Sequence, residues 1–98
     1  MIPVVFHPEA QQEAVAAGEY YETQQRGLGR RFVEALAEAV QHIQATPHLY
    51  HIVSGVYRQC RVRRFPYGII FRAGSDQIEI IAVMHLHRAP GFWRSRVD

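Results

Sequence analysis

Arginines and histidines carry most of the chemistry that this chain of 98 residues could perform. Arg58, Arg61, Arg63 and Arg64 fall within seven positions, and the planar guanidinium fork suits phosphates and carboxylates. Along a strand, alternation puts Arg61 and Arg63 on one side and Arg58 and Arg64 on the other. The four therefore do not act as one cluster, and the row reads either as a solvated strand face or as part of a surface for an acidic partner. His85 and His87, two apart, aim both rings to one side if they end a strand. They could offer two metal nitrogens, but nothing in the spacing enforces further ligands from His48 or His51, so no metal is expected. One of them could move a proton near neutral pH, and the plainer alternative is a strand-end histidine bonded to backbone. Close to the C-terminus, Phe92 and Trp93 interleave with Arg88, Arg94 and Arg96. Such a run can stack on bases and hold phosphates, or its aromatics can fold back over a sheet edge or the core.

Other chemistries drop out. Ser54, Ser75 and Ser95 sit in turn-like contexts without a nucleophile elbow, and Cys60 falls on the apolar side of its strand. Gly27-Leu28-Gly29 lacks both a preceding strand and a third glycine, so it is not a dinucleotide loop. No cofactor is expected.

The elements that must position these residues follow from length, charge and period. Ninety-eight residues with 48% hydrophobic and 20% charged side chains suit one folded domain spanning residues 1–98. A single cysteine excludes an internal disulfide. Without an apolar run of membrane length or a signal-like start at Met1-Ile2-Pro3, a cytoplasmic chain with no membrane partner is expected. The net charge of +2 hides a division: three arginines against six glutamates leave residues 1–50 at −3, and eight arginines against three carboxylates leave residues 51–98 at +5. That asymmetry points the second half toward an acidic partner, nucleic acid or protein.

Ile2 to Phe6 reads as a short strand that stops at His7-Pro8. Pro8 and Glu9 suit a helix start, and Ala10, Ala14, Ala17 and Tyr21 recur at helical spacing until Gly27-Leu28-Gly29 ends the run. A second helix places Phe32, Leu36, Val40 and Ile43 on one face and stops before Pro47. After a loop through His48 and Ser54-Gly55, Val56, Cys60 and Val62 alternate with Tyr57, Gln59, Arg61 and Arg63, the pattern of a strand with one wet face. Phe65-Pro66-Tyr67 turns the chain into a strand from Gly68 to Ala73, and Gly74-Ser75-Asp76 turns it into another from Gln77 to Leu86. The fold class is α+β: a short N-terminal strand, an α-helical hairpin and a three-strand antiparallel meander forming one sheet.

In that order, particular stretches resemble the RelE/ParE superfamily of bacterial type II toxins nearly end to end. They are Phe6-His7-Pro8-Glu9-Ala10, Tyr20-Tyr21, Gly27-Leu28-Gly29 with Phe32, Ile43-Gln44-Ala45-Thr46-Pro47, Arg63 to Arg72, and Ile80 to His85 with Arg88 and Trp93. The resemblance implies a toxin neutralised by a cognate antitoxin, which wraps around it through a flexible and often acidic segment, giving a toxin–antitoxin hetero-oligomer. It makes Arg58, Arg61, Arg63, Arg72, Arg88, Phe92, Trp93 and Arg94 the expected partner-contacting set.

Two activities divide the superfamily. RelE-like members cut messenger RNA on the ribosome, and for that role the candidates here are Arg61, Arg63, His85 and His87. ParE-like members inhibit DNA gyrase. The nucleases commonly carry an arginine just after the aromatic that opens the next strand, where this chain has Gly68. Losing a charge aimed at the scissile phosphate removes transition-state stabilisation of a few kcal/mol. Phe65-Pro66-Tyr67 and Gly27-Leu28-Gly29 look more ParE-like, so the gyrase-directed reading leads and the ribosome-dependent nuclease follows.

Overall fold

A computed structural model describes residues 2–97. Val4–Phe6 forms β1, whose short β-branched run ends where His7 caps the first helix: its Nδ1 accepts the N–H of Glu9 at 3.1 Å, and Pro8 takes the first helical position. That helix, α1, spans Pro8–Gln24. Gly27, at φ +86°, reverses the chain into α2, Leu28–Ala45. The cap of α2 comes from the helix before it, since the Glu22 carboxylate accepts the N–H groups of Gly27 and Gly29, each at 3.0 Å.

The two helices cross where each has a glycine. A Cβ on Gly29 would lie 2.4 Å from the Gly18 carbonyl oxygen, whereas a Cβ on Gly18 would meet Val33 at an ordinary 3.6 Å. The two glycines are therefore expected to respond with opposite sign. Gly29→Ala should lower stability by about 1–3 kcal/mol through overpacking against backbone. Gly18→Ala should raise it by about 1 kcal/mol through helix propensity. Thermal melts of the two variants check this, and equal shifts would contradict the assigned crossing.

The sheet has five strands in the order β1-β5-β4-β3-β2, with β2 Ile52–Ser54, β3 Tyr57–Arg61, β4 Tyr67–Ala73 and β5 Ile78–His85. β1 runs parallel to β5, Val4 beside Ile78 and Phe6 beside Ile80, and the other neighbours are antiparallel. The α+β class, helical hairpin and meander agree with the sequence, and the meander gains an edge strand. The stretch expected as loop pairs as β2, because Gly55 at φ +56° makes a two-residue turn with Val56. Val56 therefore sits on the turn tip, 57% exposed, and not in the core. β3 also stops at Arg61. Arg63 and Arg64 lie in the turn to β4, Arg64 at φ +72°, so Arg63 does not share a strand face with Arg61.

Core forms on both faces of the sheet. On the helix side, Phe32, Leu36, Ala39 and Ile43 of α2 and Ala10 and Ala17 of α1 meet Ile69, Phe71, Ile78, Ile80 and Val83, with Val40 only partly buried. Ile81 is an extra residue of β5 with no opposite number on β4, between the pairs Ile70–Ala82 and Phe71–Ile80. This bulge turns Ile81 and Ala82 toward the other face, where with Ile70 they receive Trp93. Residues 88–97 thus run back across the sheet as a strap.

Candidate functional site

The strap closes one side of a cleft of about 310 Å³ on the face away from the helices. Its floor is Gln59, Ile70, Met84 and Leu86, and its rim includes Ser54, Arg88 and Arg94. Arg61 is exposed beside it, on the same face as Gln59 two residues earlier and directly opposite Gly68 on β4. Gly68 is buried under Leu86, whose Cδ2 would be 3.2 Å from an added Cβ.

The expected partner-contacting residues occupy several environments. Arg88 lies 4.4 Å above the Phe92 ring, and Arg94 lies 5.5 Å from the Trp93 ring while donating to the Ser54 hydroxyl. Arg61, Arg88, Phe92 and Arg94 thereby share this face and its strap. Arg72 reaches across to Glu79 at 2.9 Å, on adjacent strands. Arg58 opposes Phe71, so it turns to the helix side, where it donates to the Tyr50 carbonyl at 2.6 Å. Arg63 leans toward Glu38 of α2, 4.0 Å away. Trp93 does not offer a free stacking face: it is 3% exposed, packed against Tyr57 with ring centroids 5.1 Å apart and seated on Ile70, Ile81 and Ala82. Burying so large an apolar ring over an otherwise bare sheet outweighs leaving it in water.

The four residues proposed for RNA cleavage do not converge. His85 pairs with Tyr67 across β4 and β5, and Tyr67 packs on Phe32 at 5.2 Å, on the helix side. His85 lines a smaller cleft of about 220 Å³ with Glu13, Tyr20, Tyr67 and Arg88. His87 stays close, its ring 5.0 Å from that of His85 and its N–H bonded to His85 Nδ1 at 3.1 Å. Arg61 is on the opposite face of the sheet, and Arg63 is in the turn. A site that held a phosphate with Arg61 and moved a proton with His85 would have to act through the sheet. Nor is Tyr67 tuned for proton transfer, since burial pushes its phenol above the ordinary range. Burial likewise raises the Cys60 thiol, which keeps it protonated and unreactive.

One residue of structural weight is missed by local reading. Arg96, its side chain 8% exposed, donates to both carboxylate oxygens of Glu13 at 2.9 and 2.6 Å, to the Ile81 carbonyl at 2.9 Å, and approaches Glu9 at 3.0 Å. Hydrogen bonding to Glu13, more than any other contact, holds its guanidinium charged beyond the ordinary range. The available signal is the pair Glu9 and Glu13, one helical turn apart on α1 and facing an arginine-rich tail.

Three comparisons bear on this geometry. The chain matches, over residues 4–90, the family model described as ParE toxin of type II toxin-antitoxin system, parDE. No curated protein matches. Among solved structures, the chain is similar to one described as "Chromosomal ParDE TA system from P. aeruginosa", with a TM-score of 0.63 and 14% identity over 87% of this chain and 96% of that chain. At that identity the likeness establishes a shared fold.

Proposed function

The chain belongs to the ParE toxin family of type II toxin–antitoxin systems, and we propose that it arrests growth by binding and inhibiting DNA gyrase and is neutralised by a cognate antitoxin. The observation that carries this reading over RNA cleavage is the placement of Arg61 and His85 on opposite faces of one sheet, with Gly68 beside Arg61. Cleavage needs three things near one phosphodiester: a cation on the phosphate, a group to take the 2′-hydroxyl proton and another to protonate the leaving oxygen. Arg61 has no histidine or tyrosine of β4 or β5 on its face. Binding of a protein target, by contrast, needs only an exposed and chemically distinctive surface, which Arg61, Arg88, Phe92 and Arg94 supply around the strap.

The antitoxin reading rests on the charge division. An acidic segment laid along the sheet face and strap would set its carboxylates against Arg61, Arg88 and Arg94, with Arg72 at the far end, already shared with Glu79. Such contacts speed association more than they add affinity, and they weaken with salt. Among the described residues no helix is long and apolar enough to cross a membrane, and a gyrase target would place the toxin's action in the cytoplasm.

Purified toxin is expected to inhibit gyrase supercoiling, to lose that inhibition when the antitoxin is added, and to leave messenger intact on translating ribosomes. Cleavage at the ribosomal A site that disappears in His85→Ala would overturn the proposal in favour of a RelE-like endoribonuclease.

A further inference from the structure

Two guanidiniums meet the ring of Phe92, the central carbon of Arg88 at 4.4 Å and that of Arg96 at 5.1 Å from its centroid. The face of an aromatic ring attracts a cation, but these two cations are not alike. Arg96 is largely buried and is neutralised by Glu9 and Glu13. Arg88 is exposed and, among the described residues, enters no ion pair. The ring thus links an anchored, satisfied guanidinium to a free one. From this arrangement we infer that Phe92 is a positioning residue, which holds Arg88 as the cation that the toxin presents to gyrase and does not itself make the contact. The inference rests on the gyrase reading and adds to it which arginine of the strap is prepared for the target.

Backbone structure alone does not fix Arg88. β5 ends at His85, and beyond it the Arg88 N–H donates to the His85 carbonyl at 3.0 Å, a turn and not a ladder. An arginine side chain left free there loses rotamer entropy when a partner orders it. Phe92 lessens that loss because its own ring is fixed. It packs on the cluster of Ile70, Ile81, Ala82 and Trp93, and Arg96, tied to the Ile81 carbonyl at 2.9 Å, steadies it further.

The place of Arg88 suits contact. It lines both the cleft under the strap and the smaller cleft beside His85, so a partner can reach it from either. Its neighbours differ: Arg94 is engaged by the Ser54 hydroxyl, and among the described residues Arg61 has no ring to hold it. Direct stacking by Phe92 fits less well, since its ring is partly buried and already engaged by cations.

The test is a double-mutant cycle on gyrase supercoiling, read as the toxin concentration that gives half-inhibition. Phe92→Leu keeps a bulky apolar side chain and removes the ring, and it is expected to raise that concentration about threefold to fivefold. Arg88→Gln should raise it about tenfold. The two changes together should do no more than Arg88→Gln alone, because the ring then has no cation to hold. Phe92→Tyr, which restores the ring, should recover the inhibition that Phe92→Leu loses. A merely structural Phe92 would instead weaken inhibition by the same factor with or without Arg88. That additive result, full activity of Phe92→Leu, or a Phe92→Tyr as weak as Phe92→Leu would each overturn the inference. A parent toxin without effect on gyrase would overturn the gyrase reading itself, and this inference with it.

Discussion

Arg96→Ala is expected to lower the unfolding free energy by about 3 kcal/mol, the low end of what is lost when one member of a buried ion pair is removed. The low end applies because Glu13 is not left bare: the Val83 N–H still donates to it at 3.1 Å, and part of its side chain meets solvent. The larger consequence is structural. Arg96 fastens the strap by Glu9, Glu13 and the Ile81 carbonyl, and without it Trp93 keeps only apolar contacts over Ile70, Ile81 and Ala82. Denaturant unfolding measures the first effect, and a red-shifted Trp93 fluorescence in the native baseline measures the second. A double change, Arg96→Met with Glu13→Gln, should recover part of the loss, because no charge then stays buried and unpaired. A single variant as stable as the parent would show the clamp to be incidental.

Phe32→Ala should cost about 3–5 kcal/mol, the range for emptying a fully buried aromatic site. Phe32 is completely buried, and its ring touches Tyr21 at 5.3 Å, Phe65 at 5.1 Å and Tyr67 at 5.2 Å. These rings come from α1, α2, the β3–β4 turn and β4, so the neighbours cannot close the void without moving several elements together. Unfolding midpoints in denaturant, with the slope unchanged, check the value. A loss below about 1 kcal/mol would mean that the site collapses freely and that this aromatic contact does not hold the helical hairpin to the sheet.

Much of the fold is legible in the sequence because it rests on local rules. Pro8 and Glu9 start α1, and Phe32, Leu36 and Ile43 mark the buried face of α2. The period-two runs of β4 and β5 stand between clear turns. The departures are also physical. Ile52 to Ser54 is a weak strand by composition, and it pairs because the turn at Gly55 returns β3 against it. The strand through Arg61 ends early because Arg64 takes a left-handed backbone that no alternation pattern signals.

Candidate residues are less legible than elements. Arg61 and Gly68 could be named from the chain, and their opposition across β3 and β4 follows from the meander. His85 could be named as well, but not its face. Apart from the edge strand β2, the sequence by itself determined the order and type of the main helices and strands, the apolar stripes and the uneven charge, since each depends on residues close together in the chain. Only the tertiary structure decided which arginines are free, because Arg96 finds Glu13 83 residues away and Trp93 finds its bed on three strands' worth of side chains. It also decided that His85 turns from Arg61 toward the helices. Side chains in a strand alternate with a period of two, so the one extra residue at Ile81 reverses the facing of every residue after it, and the physical reason is a hydrogen-bond register that no local pattern encodes.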